Sequence, residues 1–260
     1  MNRLFQHIKI EKSEFVGTII IDRQEVRNAL NKATVDELQM AVRELEEDPK
    51  LRIIIITGAG EKAFVAGADI KELHERTMLE ALVPGMQKVY REIEQSSKVT
   101  IAVINGHALG GGFELALACD LRVVANHAKI GLPELNLAII PGAGGTQRLM
   151  RIVGKGRALE MILTGKIIDG QEAERIGLVT QSVESNNLRN VTNQLVESIL
   201  SKGPLALKLA KMVVNRGQDV DLDTALMLEK LAQTVLFASE EKHEGTQAFL
   251  EKRRPNYHEV

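Results

Sequence analysis

"HALGGGFELALACD", residues 107–120, places three consecutive glycines between a short apolar strand and an apolar helix. Glycines leave backbone N–H groups open to a ligand, and a helix that starts here adds the positive end of its dipole. The stretch therefore predicts a site for negative charge. One carboxyl group, Glu114, stands in the first turn of the helix. Because the helix dipole alone favours glutamate there, the position leaves a structural and a catalytic role open.

Strands and helices alternate around this stretch through about residue 180, which predicts an α/β fold. An apolar strand at residues 100–105 leads into the glycines, and "RIIIIT" at residues 52–57 is typical of a buried strand. Residues 7–22 predict a hairpin of two alternating strands. Residues 34–48 predict an amphipathic helix that opens with a capping box formed by Thr34 and Glu37.

After residue 203 the pattern changes to three successive helices. The first opens with Pro204, a residue typical of the first helical position. The second carries more apolar residues than an exposed tail needs, so we expect it to pack on the main domain or on another subunit. The sequence thus predicts a core at residues 1–200 and a helical region at residues 201–260.

Composition limits the class of protein. The 260 residues include 33 basic and 35 acidic side chains, a net charge of −2, which gives no electrostatic reason to expect nucleic acid or an anionic membrane as a partner. The only cysteine, Cys119, excludes a disulfide within the chain. No apolar run approaches the roughly 20 residues that span a bilayer. We therefore expect a cytoplasmic protein.

Several cofactor motifs are absent from the sequence. It has no G-x-G-x-x-G, no Walker-type phosphate loop and no H-E-x-x-H, and its six histidines lack ligand spacing. No metal and no redox cofactor is expected.

Three segments rich in small residues each follow a predicted strand: residues 64–70, 107–114 and 131–149. Ligands of α/β proteins bind at such strand ends. The third segment adds a second carboxyl group, Glu134, in a Pro–Glu pair; its position alone is also typical of a surface loop. Proton transfer beside a carbonyl needs paired N–H donors for the oxyanion and one or two carboxylates. These segments could supply both.

The same segments resemble the signatures of the enoyl-CoA hydratase family, also called the crotonase family. The matching stretches are "FVAGADIKEL" (64–73), "NGHALGGGFELALACD" (105–120) and "GLPELNLAIIPGAGGTQRL" (131–149). Shorter matches at residues 26–31, 164–179 and 244–257 extend the resemblance over essentially the whole chain. It implies a spiral of repeated strand–strand–helix units with a C-terminal helical trimerisation region. It also implies a homohexamer built from two trimers, and acyl-CoA thioester substrates whose CoA belongs to the substrate.

Residue roles also follow from the resemblance. The oxyanion hole would be the backbone N–H groups of Ala68 and Gly111, and Glu114 and Glu134 match the two catalytic glutamates of hydratases. The former would activate water and the latter would serve the alpha carbon. The positions that match the substrate-binding residues are Ala66, Ala68, Asp69, Ile70, Lys71, Gly111, Phe249 and Lys252.

The implied reaction is hydration of the 2,3 double bond of a trans-2-enoyl-CoA. A methylglutaconyl-CoA or other branched enoyl-CoA is the alternative substrate, with residues 75–86 expected near the acyl group. Two glutamates favour hydration over the isomerases of the family. An RNA-binding branch uses a lysine row on its first long helix, but here that row reads Lys32, Asp36, Met40, which disfavours phosphate binding.

Overall fold

The computed structural model describes residues 5–257, which form ten strands and twelve α-helices. The strands are β1 (Ile8–Lys12), β2 (Val16–Ile21), β3 (Ile53–Gly58), β4 (Ala63–Val65), β5 (Val99–Ile104), β6 (His107–Leu109), β7 (Leu121–Ala125), β8 (Lys129–Gly131), β9 (Ile168–Asp169) and β10 (Gln181–Val183).

The helices are α1 (Lys32–Glu47), α2 (Ile70–Glu75), α3 (Met78–Ala81), α4 (Met86–Glu94), α5 (Gly111–Ala118), α6 (Gly145–Val153), α7 (Lys155–Thr164), α8 (Gly170–Arg175), α9 (Leu188–Leu200), α10 (Pro204–Gly217), α11 (Leu222–Phe237) and α12 (Glu240–Leu250). Three 3-10 helices lie at Gln24–Val26, Glu134–Leu137 and Ser185–Asn187.

The strands build two sheets in a repeating pattern. One sheet has the order β1-β2-β3-β5-β7-β10 and the other has the order β4-β6-β8-β9. The pairs β3–β4, β5–β6 and β7–β8 each give their first strand to the larger sheet and their second to the smaller sheet, and a helix follows each pair. This arrangement confirms the predicted α/β class and the strand–strand–helix repeats.

Local patterns account for most of these elements. The hairpin expected near the N-terminus is the antiparallel pair β1–β2, in register from Ile8 opposite Ile21 to Lys12 opposite Gly17. Strand β3 runs parallel to β2 and is mostly buried, as its run of β-branched isoleucines predicts.

The predicted capping box of α1 is wrong. The helix begins two residues earlier, and Asn31 is its N-cap, accepting hydrogen bonds from the backbone N–H of Thr34 at 2.9 Å and from its hydroxyl at 2.6 Å. The carboxylate of Glu37 accepts instead from the backbone N–H groups of Gln6 and His7 at 2.9 and 2.8 Å. Glu37 thus ties the start of the hairpin to α1 rather than capping its own helix.

The chain divides into two compact units. The first contains the residues up to Ser96 together with Thr100–Thr192, and the second contains Ser97–Val99 and the residues from Asn193 onward. The three predicted C-terminal helices are α10, α11 and α12 of the second unit, and Pro204 occupies the first turn of α10 as expected. The division predicted at residues 200 and 201 stays a prediction. Within residues 5–257, no helix has both the length and the apolar content needed to cross a membrane.

Candidate active site

The small-residue segments converge at one edge of the smaller sheet. Strands β4, β6 and β8 are neighbours and run parallel, so their carboxyl ends face the same way. The loop at residues 66–69 follows β4, the glycine stretch follows β6, and the 3-10 helix Glu134–Leu137 follows β8 closely. Parallel pairing is therefore what brings these three sequence-distant segments together.

The loop after β4 leaves one backbone donor free. The N–H groups of Ala66 and Asp69 donate to the carbonyl oxygens of Arg27 and Leu30 at 3.1 and 2.8 Å, and the Leu30 N–H donates to Gly67 O at 2.9 Å. Alternate peptide groups of an extended segment point to opposite sides, so the Ala68 N–H points away from this pairing. Within residues 5–257 no carbonyl or carboxylate accepts from it.

Each of the three glycines has a different neighbour. Gly110 has φ 50°, a conformation that residues with a side chain rarely adopt, and a Cβ atom there would lie 3.0 Å from Glu134 Oε1. A Cβ atom on Gly112 would lie 2.2 Å from the Val65 carbonyl oxygen, so α5 packs directly on β4. A Cβ atom on Gly111 would lie 3.2 Å from Met86 Sδ and 3.8 Å from Ala68 N.

Gly111 opens α5, so its N–H has no partner inside the helix. In the described part of the chain, no acceptor outside the helix takes this proton either. Two free N–H groups, those of Ala68 and Gly111, therefore lie side by side at the positive end of a wholly buried helix. Such a pair is suited to an oxyanion.

The carboxyl group of Glu114 is buried, with 2% of the residue exposed. Its Oε1 accepts hydrogen bonds from the backbone N–H groups of Ala143 at 2.8 Å and Gly145 at 2.7 Å. Burial raises the pKa of Glu114 above its ordinary value, while these two donors and the positive charge of Arg148 oppose the rise. The hydrogen bonds hold Glu114 in one orientation and favour its ionised form.

The carboxyl group of Glu134 has a different environment. In the described chain no donor binds its buried Oε2 atom. Burial raises the pKa of Glu134 to about 7; the negative charge of Glu114 adds to the rise, and the backbone N–H of Glu134 itself opposes it. At neutral pH this carboxyl is therefore close to half protonated.

Sequence reasoning missed several groups that support this arrangement. The hydroxyl of Tyr90, on α4, donates to the carbonyl oxygen of Gly111 at 2.7 Å from a fully buried position. The amides that bind Glu114 belong to Ala143, in the turn before α6, and to Gly145, the first residue of α6. Arg148 donates to the carbonyl oxygen of Ala143 at 2.9 Å. In the sequence, Tyr90 is visible only as one member of an apolar helical face.

The other predicted substrate-binding residues lie in two separate parts of the chain. Asp69 caps α2 by accepting from the Lys71 N–H at 3.1 Å, and Ile70 is 60% exposed beside it. Phe249, which is 84% exposed, and Lys252 belong to the second unit. The assignment of all these residues to substrate binding stays a prediction.

Residues 5–257 contain no group of three or more acidic, histidine or cysteine side chains placed to hold a metal ion. The site offers two N–H donors and two carboxyl groups, one held by two backbone amides and one with a pKa of about 7. This set can stabilise a developing oxyanion while one group accepts a proton and another delivers one.

Comparison with known proteins matches the chain to one family along nearly its whole length. The family model described as "Enoyl-CoA hydratase/isomerase" matches residues 11–260. The crotonyl-CoA hydratase of Syntrophomonas wolfei is 45% identical over 255 residues, which cover 97% of this chain and 98% of that protein. The mitochondrial methylglutaconyl-CoA hydratase of Mus musculus is 41% identical, over 95% of this chain and 81% of that protein.

Solved structures agree with the sequence match. The crystal structure of an enoyl-CoA hydratase from Bacillus anthracis superposes with a TM-score of 0.93 at 44% identity, and the match covers 97% of this chain and 99% of that one.

Proposed function

The chain belongs to the enoyl-CoA hydratase/isomerase family, and from this premise we propose that it is a hydro-lyase that adds water across the 2,3 double bond of a trans-2-enoyl-CoA thioester. One observation carries the proposal: two free backbone N–H groups lie next to two carboxyl groups, of which Glu114 is buried and held by two amides and Glu134 is half-buried with a pKa of about 7. Hydration of a double bond conjugated to a carbonyl needs this combination.

The N–H groups of Ala68 and Gly111 bind the thioester oxygen. Negative charge grows on this oxygen when a nucleophile attacks the beta carbon, so donors fixed in advance stabilise the enolate-like transition state more than the ground state. Loss of one such donor costs about 2.7–4 kcal/mol of barrier in enzymes of this kind. The dipole of α5 acts in the same direction.

The two glutamates divide the proton transfers. Glu114, oriented by two amides and in its ionised form, takes a proton from water as the water oxygen bonds to the beta carbon. The electron pair of the double bond moves toward the thioester oxygen. Glu134, whose pKa is about 7, then gives its proton to the alpha carbon. Proton exchange with solvent resets both groups, so the net change is addition of one water.

Substrate binding extends from this centre along the loop after β4. We assign the CoA part of the substrate to Ala66, Asp69, Ile70 and Lys71, which flank the Ala68 donor in the chain. Phe249 and Lys252, in the C-terminal region, are also assigned to CoA binding, either in their own subunit or in a neighbouring one. CoA enters as part of the substrate, and the chemistry uses no further cofactor.

The second unit carries exposed apolar side chains on α11 that suit self-association. Leu222, Leu226 and Leu231 are each more than half exposed. We assign helices α10, α11 and α12 to trimer contacts, and we propose that the whole protein is a homohexamer of two trimers. Its location in the cytoplasm is likewise a proposal.

Two kinds of acyl group, straight-chain and branched, are candidates for the substrate. The mouse relative is named for methylglutaconyl-CoA, and Met86, at the end of the segment expected near the acyl group, lies against Gly111. A branched enoyl-CoA is therefore the second candidate. Hydration rates for crotonyl-CoA, longer straight-chain enoyl-CoAs and methylglutaconyl-CoA decide between them.

The RNA-binding alternative loses support from the first helix. Lys32 Nζ lies 2.6 Å from the Asp36 carboxylate one turn away, so the single lysine of the row is paired. Filter binding at two salt concentrations tests this alternative directly.

Glutamine substitution tests the catalytic assignment. We expect E114Q and E134Q each to lower kcat for crotonyl-CoA hydration by about 10²–10⁴-fold, because each removes one proton-transfer group. The control is E61Q, which makes the same change at an exposed residue in the loop before β4. Near-wild-type turnover in both site variants would refute the proposal.

A further inference from the structure

The guanidinium of Arg148 donates to the carbonyl oxygen of Ala143, next to the amides that hold Glu114, and it has no part in the proton transfers. We propose that Arg148 is a positioning residue for hydration: anchored by Glu94, it fixes the turn at residues 143–145 whose N–H groups hold Glu114, and it places a fixed positive charge beside that carboxylate. The inference rests on the proposed function, since it explains how Glu114 is kept ready to act.

The first support is the hydrogen bonding of the guanidinium. Arg148 Nε and Nη2 donate to the two oxygens of Glu94 at 3.0 and 3.1 Å, and Nη1 donates to Ala143 O at 2.9 Å. The side chain is only 11% exposed. A planar guanidinium bound at both edges has little freedom to rotate, so Glu94 on α4 sets where the Ala143 carbonyl must lie.

The second support is the shape of the turn. Gly144 has φ 103°, and a Cβ atom there would lie 2.2 Å from Arg148 Nη1. The backbone N–H of Arg148 also donates to Gly144 O at 2.9 Å. The turn therefore wraps around the guanidinium. It then presents the Ala143 and Gly145 amides to Glu114 Oε1 on its other side.

The third support is charge. Arg148 is the positive group that acts on Glu114, and its charge lowers the pKa of that carboxyl against the effect of burial. The other titratable groups around Glu114 are Glu134 from the 3-10 helix, Tyr90 from α4, and Glu94, which binds Arg148.

The strands packed against α5 add little charge. Strand β4, at Ala63–Val65, has no titratable side chain, and β6 has only His107, at its amino end away from the glycines. Among the described groups that act on the pKa of Glu114, Arg148 is thus the cation, and its charge opposes the rise that burial causes.

Two substitutions separate the charge from the geometry. R148M removes both, whereas R148K keeps a charge but cannot bind Glu94 through two nitrogens and Ala143 at once. The control is R43M, which breaks a similar pair: Arg43 binds Glu92 through Nε and Nη2 at 3.1 and 2.8 Å, on the same helix as Glu94 and two residues earlier. Each variant is assayed for crotonyl-CoA hydration across pH, with its thermal midpoint measured alongside.

We expect R148M to lower kcat by about 10–100-fold with little change in KM, since a small displacement of a catalytic group has effects of this size. The acid limb of its kcat/KM profile moves to higher pH, because Glu114 holds its proton more tightly without the cation. We expect R148K to have a lower kcat than the wild type but the same acid limb. R43M matches the wild type in kcat, in KM and in its pH profile. The inference is overturned if the acid limb of R148M does not move, or if R43M loses as much kcat as R148M. If R148M does not fold, a wild-type kcat in R148K overturns it.

A measurement without substrate keeps this test separate from the proposed function. An infrared pH titration of the carboxyl band of the free enzyme, assigned to Glu114 by its loss in E114Q, gives a midpoint that rises in R148M. An unchanged midpoint overturns the inference whatever the activity. Wild-type protein that hydrates no enoyl-CoA would refute the proposed function and leave this titration standing.

Discussion

At the scale of single residues, Glu114 and Glu134 show how one side-chain type acquires two roles. Burial raises the pKa of both carboxyl groups. Only Glu114 has two amide donors and a nearby guanidinium that stabilise the anion, whereas a buried oxygen of Glu134 accepts from no donor in the described chain. The two carboxyl groups therefore differ in local hydrogen bonding and not in the direction of their pKa shifts.

The raised pKa of Glu134 has a consequence for stability. A carboxyl whose folded pKa lies above its ordinary value of 4.5 makes the folded state bind more protons than the unfolded state, so stability falls as pH rises from about 4.5 through about 7. We expect E134Q to be more stable than the wild type at pH 8 and equally stable at pH 4. Urea denaturation at the two pH values measures this, with E61Q as the control.

If E134Q were more stable than the wild type by the same amount at pH 4 and pH 8, this account would be contradicted. The destabilisation of the fold by Glu134 would then come from its shape rather than from its charge. The predicted gain at pH 8 accompanies the predicted loss of kcat. Glu134 thus combines a cost in stability with a gain in activity.

At the scale of secondary structure, α5 is positioned by its closeness to β4. Gly112 permits this contact, because any side chain there would meet the Val65 carbonyl oxygen and Cβ. The same contact brings the first amide of α5 beside the Ala68 amide on the loop after β4. The spacing of the two proposed oxyanion donors therefore depends on a residue that offers neither of them.

Substitution of Gly112 by alanine tests this dependence. We expect G112A to destabilise the fold by about 1–3 kcal/mol, as overpacking does, and to lower kcat because α5 moves away from β4. The matched control is G156A. Gly156 is the second residue of α7 just as Gly112 is the second residue of α5, and a Cβ atom there meets nothing within 4 Å.

Thermal denaturation and crotonyl-CoA hydration are measured for both alanine variants. We expect G156A to be neutral or to gain up to about 1 kcal/mol, since alanine favours a helix over glycine. Equal effects of the two substitutions would show that helix propensity, and not the contact with Val65, controls the position of α5.

The elements also show where sequence patterns succeed and fail. Apolar periodicity located α1, and its predicted inner face, Val35, Leu38, Val42 and Leu45, is buried. In the sequence, the apolar residues at positions 82, 86, 89, 90 and 93 also predict one helix, but α4 begins at Met86 and Leu82 is 77% exposed. Periodicity alone does not find a short break between helices.

At the scale of the whole molecule, the exposed apolar residues of α11 predict self-association. We expect the wild-type protein to sediment as a hexamer and L231E to sediment as a smaller species, because a charge at the centre of an apolar interface has a large desolvation cost. K230E introduces the same residue at the exposed neighbouring position and serves as the control. Analytical ultracentrifugation distinguishes these outcomes, and a monomeric wild type would contradict the proposed assembly.

The sequence by itself determined the α/β class, the order of most strands and helices, and the segments that carry the chemistry. These features depend on local periodicity, on glycine, and on motifs that repeat along the chain. Through resemblance it also identified four candidate site residues, Ala68, Gly111, Glu114 and Glu134. Their relative positions in space do not follow from the sequence.

Only the tertiary structure decided what surrounds those residues. The bond from Tyr90 to Gly111 spans 21 residues, and the bond from Gly145 to Glu114 spans 31 residues, so no local pattern encodes either contact. The hydrogen bond from Arg148 to Glu94 spans 54 residues. Parallel strands place these distant segments at one sheet edge, and the protonation state of each carboxyl group follows from the burial and donors that meet there, which no single stretch of sequence contains.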